Sequence, residues 1–177
     1  MSKFIYLFLF FISFQPSEEE YILWNENHRL EWNDFKGAPI INGDAAAITA
    51  SGLTFSFSAR TTSTRLVDFT AIVEAHFYPN QSWYIKEHVN NIVLAHEQLH
   101  FDITELHARK LRKQIDEANF SVNIKKEISK LHTNINKELK EFQKKYDTET
   151  NYSRSIETQK EWQIFVNQEL KKLSKYK

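Results

Sequence analysis

The chain has 177 residues, enough for one domain with its own core, and its apolar and charged fractions of 41% and 26% are those of an ordinary globular protein. The formal net charge is zero, which gives no general attraction to nucleic acid or to an anionic membrane. Cysteine is absent, so disulfides, thiolate metal sites, cysteine nucleophiles and a lipid-modified N-terminal cysteine are excluded, and any metal must be held by nitrogen and oxygen.

The N-terminus has the outline of a targeting signal. Lys3 gives a positive start, and Phe4 to Phe14 form a largely apolar run of eleven residues. That is too short for the roughly 20 residues a spanning helix needs, and long enough for the core of a signal peptide. Residues 1–17 are therefore expected to be a signal peptide or an N-terminal anchor, and 18–177 a single exported domain, periplasmic or extracellular. Membrane contact is expected only through that first segment.

All three glycines (37, 43 and 52) and all three prolines (16, 39 and 79) precede residue 80, so the first half can turn sharply and the second should be mostly helix. Leu30, Trp32 and Phe35 sit near a turn at Lys36-Gly37-Ala38-Pro39. Ile48 to Ser58 reads as a strand. From Leu66 to Tyr78, Val67, Phe69, Ala71, Val73, Ala75 and Phe77 alternate onto one face of a half-buried strand. Its edge is a place for an extended substrate to pair. Three helices follow. The first runs from about Trp83 to Lys113 with an early break and an apolar stripe of Ile92, Leu99, Ile103 and Leu106. The second, about Ile124 to Tyr146, carries Ile124, Ile128, Leu131, Ile135, Leu139 and Phe142. The third, about Ile156 to Tyr176, carries Trp162, Phe165, Leu170 and Leu173. From Arg109 onward the chain holds 17 Lys+Arg and 10 Asp+Glu, a basic half balanced by an acidic one. Solvated lysine-rich helix faces are the plainer reading of this asymmetry, and a surface for an acidic partner the sharper one.

The strongest chemical signal is His96-Glu97-Gln98-Leu99-His100. On a helix, H-E-x-x-H sets two imidazoles one turn and about 40° apart, so both rings can hold one zinc ion, with Glu97 beside them as general base. At ordinary residue frequencies a random chain of this size shows the pattern about 2% of the time. Catalytic zinc usually has three protein ligands and a water. Glu105 falls about 140° around the helix from His100, and His107 lies on the right face but about 10 Å further along the axis. No glycine follows His100 to break the helix, so the third ligand is expected from a later segment: His132, Glu138, Asp147, Glu149 or Tyr152. No Gly-rich phosphate loop and no G-x-S-x-G elbow occurs.

Several segments together resemble the bacterial domain-of-unknown-function family 922, predicted secreted zinc-dependent proteases. They are LEWNDFKGAP (Leu30 to Pro39), the alanine-rich stretch into ITASGLTFSF, SWYIKEHVNNIVLAHEQLHFDITELHARKLR (Ser82 to Arg112), and YDTETNYS followed by QKEW (Tyr146 to Trp162). The resemblance implies a small zincin-like α+β domain, with N-terminal antiparallel strands, an active-site helix and two further long helices. It implies His96 and His100 as metal ligands, Glu97 as the catalytic acid/base, and Asp102 and Glu105 as residues that orient neighbouring groups. Members often carry a histidine where this chain has Tyr152, which makes Tyr152 the implied third ligand. The expected activity is hydrolysis of a peptide or protein substrate with Zn2+. The rival expectation is a non-catalytic metal-binding or envelope interaction module on the same fold.

Overall fold

The computed structural model describes residues 19–40 and 45–177; the expected signal or anchor segment lies outside them. The architecture is α+β, with antiparallel strands first and three long helices after. The strands are β1 (Ile22–Leu23), β2 (Ala47–Ile48), β3 (Ser51–Thr61), β4 (Leu66–Phe77) and β5 (Trp83–Tyr84); the helices are α1 (Asn91–Glu117), α2 (Ile124–Glu149) and α3 (Ile156–Lys172). One sheet has the order β1-β4-β3, and β2 pairs with β5 in a separate two-stranded ribbon. No described helix is long and apolar enough to cross a membrane.

Helix α1 is the axis of the molecule. Fourteen consecutive residues, 96 to 109, are buried. A helix with no solvent face over nearly four turns needs partners all round. The sheet covers one side and α2 and α3 the others. Two apolar clusters result. Phe101, Ala108 and Leu111 of α1 meet Val73, Ala75 and Phe77 of β4 and the first half of α2. Leu99, Ile103 and Leu106 meet Leu139 and Tyr146 of α2 and Trp162, Val166 and Leu170 of α3.

The alternation read in β4 is present: Val73, Ala75 and Phe77 point into the core, while Val67, at the outer end of the hairpin, is exposed. β4 is the central strand of its sheet, hydrogen-bonded to β3 along its length and to β1 at Phe77 and His76. The strand that borders the histidine pair is β2. Its separation from β3 also corrects the expected Ile48–Ser58 strand: Ile48 pairs with Trp83, and β3 begins at Ser51.

Helix α1 starts later than its apolar pattern suggests. Trp83 and Tyr84 are aromatic strand formers taken into the ribbon, a short 3-10 turn covers Lys86–His88, and the Asn90 side chain accepts the amides of Ile92 at 2.8 Å and Val93 at 3.1 Å. Asparagine is a strong N-cap, so the helix begins where its free amides find a partner. Ile92, expected in the buried stripe, lies in this first turn and is exposed. In α3, Val166 takes the buried position and Phe165 faces outward. The expected turn at Lys36–Pro39 has a steric cause: the Gly37 amide donates to the Ser82 carbonyl at 2.8 Å, and a Cβ there would sit 2.8 Å from that oxygen and 2.9 Å from Asn80 O.

After α2 the chain turns through three successive left-handed residues, Asn151, Tyr152 and Ser153, with φ of 47°, 52° and 69°. Such residues cost on the order of 1–2 kcal/mol each outside glycine. The turn is held from both ends: Tyr152 N donates to Asp147 O at 2.9 Å and Ser155 N to Thr150 O at 2.8 Å. The buried Thr150 hydroxyl donates back to Tyr146 O at 2.8 Å.

Candidate metal centre

His96 and His100 stand one turn apart on the buried middle of α1, and their rings converge on the last turn of α2. The His96 and His100 Nε2 atoms are 3.2 Å apart. Asp147 Oδ1 lies 3.1 Å from the first and 2.9 Å from the second. Bonds of about 2.1 Å in tetrahedral directions put neighbouring ligand atoms about 3.4 Å apart. The triangle of two nitrogens and one oxygen is therefore close to one face of a zinc tetrahedron. Among the described residues this is the one group of three or more His, Cys, Asp or Glu residues whose ligating atoms gather this way.

A hydrogen-bond chain fixes the His100 ring. Its Nδ1–H donates to Gln143 Oε1 at 2.9 Å, which leaves Nε2 with its lone pair toward Asp147. The Gln143 amide nitrogen donates to Thr104 Oγ1 at 3.2 Å, and that hydroxyl donates to the His100 carbonyl at 3.0 Å. Ser51 of β3 adds a further contact to the Thr104 hydroxyl at 2.7 Å. Because Thr104 has one proton, spent on His100 O, its other two partners must donate to it, and this sets the orientation of the Gln143 amide. Tyr146 holds both rings by packing, stacked on His96 at 4.5 Å and edge-on to His100 at 5.1 Å between centroids. His96 Nδ1 is buried with no hydrogen-bond partner among the described residues.

Asp147 and His100 shift each other's protonation. Burial pushes the Asp147 carboxyl up, but its bonds to His100 and His96 outweigh this and hold it well below the usual carboxylate range. Burial pushes the His100 imidazole down, yet Asp147, Glu97 and Gln143 together raise it. Burial first, then the charges of Glu97, Asp147 and Asp102, push the Tyr146 hydroxyl far up, so it stays neutral. The donor set of two imidazoles and one carboxylate suits zinc.

The centre opens to a cleft of about 1240 Å³. Glu97 lines it beside the histidine pair, and the ribbon segment Ala45–Thr49 forms the facing wall. Thr49 Oγ1 donates to the Glu97 carbonyl at 3.2 Å, tying that wall to α1. Tyr152 stands on the cleft wall with its side chain largely exposed. Of the five candidates for a third ligand, Asp147 is the one brought into the triangle. The rest have other occupations: His132 stacks on Phe55, Glu138 accepts from Lys110 at 2.5 Å, and Glu149 accepts from the Trp162 indole at 2.9 Å. His107 is buried against Phe142.

Asp102 and Glu105 are directed away from the centre. Asp102 accepts from Trp24 Nε1 at 2.9 Å, Arg29 Nη1 at 3.1 Å and Gln98 Nε2 at 2.8 Å, pinning the N-terminal segment to α1. Glu105 accepts from Arg109 at 2.8 Å and Arg112 at 3.0 Å, and these arginines cap the Leu170, Tyr176 and Val73 carbonyls. The residues that do orient the centre, Gln143, Thr104 and Tyr146, were not singled out from the sequence. One signal for two of them was present: the stripe of α2 continues past Leu139 through Gln143 and Tyr146 at helical spacing, but turns polar.

Fold and site together define a class: an α+β protein in which the H-E-x-x-H histidines of one helix meet an aspartate from the end of the next. The chain belongs to the family described as bacterial protein of unknown function, DUF922, whose model matches residues 33–155. That span holds β2 to β5, α1, α2 and every residue of the candidate centre. No curated protein and no solved structure matches the chain.

Proposed function

We propose that this protein is an exported zinc-dependent metallopeptidase of zincin-like design, with His96, His100 and Asp147 as the metal ligands. The observation that carries the reading is the convergence of two Nε2 atoms and one carboxylate oxygen within 3.2 Å of one another, beside a glutamate in an open cleft. Zinc bound there supplies Lewis-acid activation of water and of the scissile carbonyl. Glu97 accepts the proton of the attacking water as the oxygen adds to the peptide carbon. It then returns that proton to the amine as the C–N bond breaks, so one water is consumed per bond. Gln143 holds His100 in its ligating tautomer. Tyr152 faces the cleft from its left-handed turn and contacts substrate rather than metal. Residues 1–17 serve export or anchoring, and 18–177 form the peptidase domain.

Loss of a general base costs about 10²- to 10⁴-fold in rate. Glu97→Gln is expected to retain one metal per chain and lose peptide hydrolysis by at least that range, measured on a mixed peptide pool by mass spectrometry. Hydrolysis at the unaltered rate in Glu97→Gln contradicts the role given to Glu97.

A further inference from the structure

The cleft does not end at the metal centre. Gln143, Asp147 and Tyr152 border a second hollow of about 430 Å³ that adjoins the first. The two differ in the exposed side chains that border them. In the larger, Ile48, Ile92, Tyr152 and Ile156 come from four separate segments and are 41%, 36%, 61% and 43% exposed. Scattered exposed apolar residues are ordinary, but four gathered round one concavity beside a polar centre form a patch of the kind that marks a binding site.

The smaller hollow is walled by Gly52 of β3 and by one face of α2 bearing Asn136, Lys140 and Lys144. Like charges four residues apart on a helix repel each other. The neighbouring Lys137 and Lys145 are offset by Glu141 and Glu149 one turn on. Lys140 and Lys144 form no ion pair among the described residues, and both are exposed. Two exposed lysines of the basic half therefore border the groove itself.

We propose that the two hollows are one substrate groove, with an apolar arm and a basic arm meeting at the metal centre. The substrate class is a polypeptide with a bulky apolar side chain on one side of the cleaved bond and acidic residues on the other. This rests on the peptidase reading for the cleavage, but the groove's binding preference can be tested apart from it.

Three labelled synthetic peptides separate the possibilities: an acidic–apolar sequence, its counterpart with lysine for each acidic residue, and its counterpart with alanine for the bulky apolar residue. Binding to the zinc-loaded full chain is read by fluorescence anisotropy directly after mixing, and cleavage by mass spectrometry later. The acidic–apolar peptide is expected to bind at least tenfold tighter than either counterpart. Lys140→Glu with Lys144→Glu should abolish the preference over the lysine peptide, and added salt should shrink it. Ile156→Asp should abolish the preference over the alanine peptide. All of these positions are exposed, and circular dichroism checks that the variants fold. Equal binding of the three peptides, or none, overturns the groove. Selective binding without cleavage keeps the groove and removes the peptidase reading; cleavage without selectivity does the reverse.

Discussion

At the residue scale, the candidate centre depends on a side chain that touches no metal. His100 can present Nε2 because Gln143 takes its Nδ1–H, and Gln143 can do so because Thr104 and Ser51 fix its amide. Groups behind a metal ligand typically contribute 10- to 100-fold in metal affinity. Gln143→Leu keeps the length and burial but removes the acceptor. We expect it to weaken zinc binding by about that factor, read by competition with a chromophoric chelator, with the fold unchanged. The histidine pair and its glutamate were legible in the sequence because their spacing alone encodes the geometry. The choice among Asp147, Tyr152 and the other late candidates was not, because it depends on where α2 ends relative to α1. Tyr152 lies five residues beyond Asp147, past the helix end, and its left-handed turn leaves the ring exposed on the cleft wall.

At the element scale, helical periodicity located α1, α2 and α3, and β alternation located β4; the boundaries moved where another element intervened. The β2–β5 ribbon claimed Trp83 and Tyr84 from the expected start of α1, and Ile48 from the expected start of β3. Burial all round α1 also encloses Asp102, Glu105 and His107, whose partners depend on the elements packed against the helix. His107 has a measurable consequence. Burial lowers its imidazole from the ordinary 6.5 to about 4, and Nε2 has no hydrogen-bond partner among the described residues. Above pH 6.5 the group is neutral whether the chain is folded or not. As pH falls from 6.5 toward 4, the unfolded chain takes up a proton that the folded chain refuses, so stability is lost across that window, by up to about 3 kcal/mol. His107→Gln removes this titration. The difference in unfolding free energy between variant and unaltered chain, from denaturant titrations at pH 7, 5.5 and 4.5, should move in the variant's favour as pH falls. A difference that does not change with pH contradicts the buried, neutral His107.

At the scale of the whole molecule, the centre lies where the two halves of the sequence meet. The N-terminal strands build one wall of the cleft, α1 crosses the core with the histidine pair, and the end of α2 closes the triangle. This is why chain order alone could not complete the site: residues 96 and 147 are joined by packing, through the cluster of Leu99, Leu139, Tyr146 and Trp162. The charge asymmetry, by contrast, was visible from composition, and the place of Lys140 and Lys144 beside the groove emerged once α2 was placed. We propose that Asp147 completes a zinc centre with His96 and His100. The most direct test of this is metal content by mass spectrometry after purification without chelator and zinc reconstitution, comparing the unaltered chain with Asp147→Ala and Tyr152→Phe. About one zinc per chain is expected in the unaltered protein and in Tyr152→Phe, with loss in Asp147→Ala. Full zinc occupancy and unchanged affinity in Asp147→Ala, or loss in Tyr152→Phe, would contradict it.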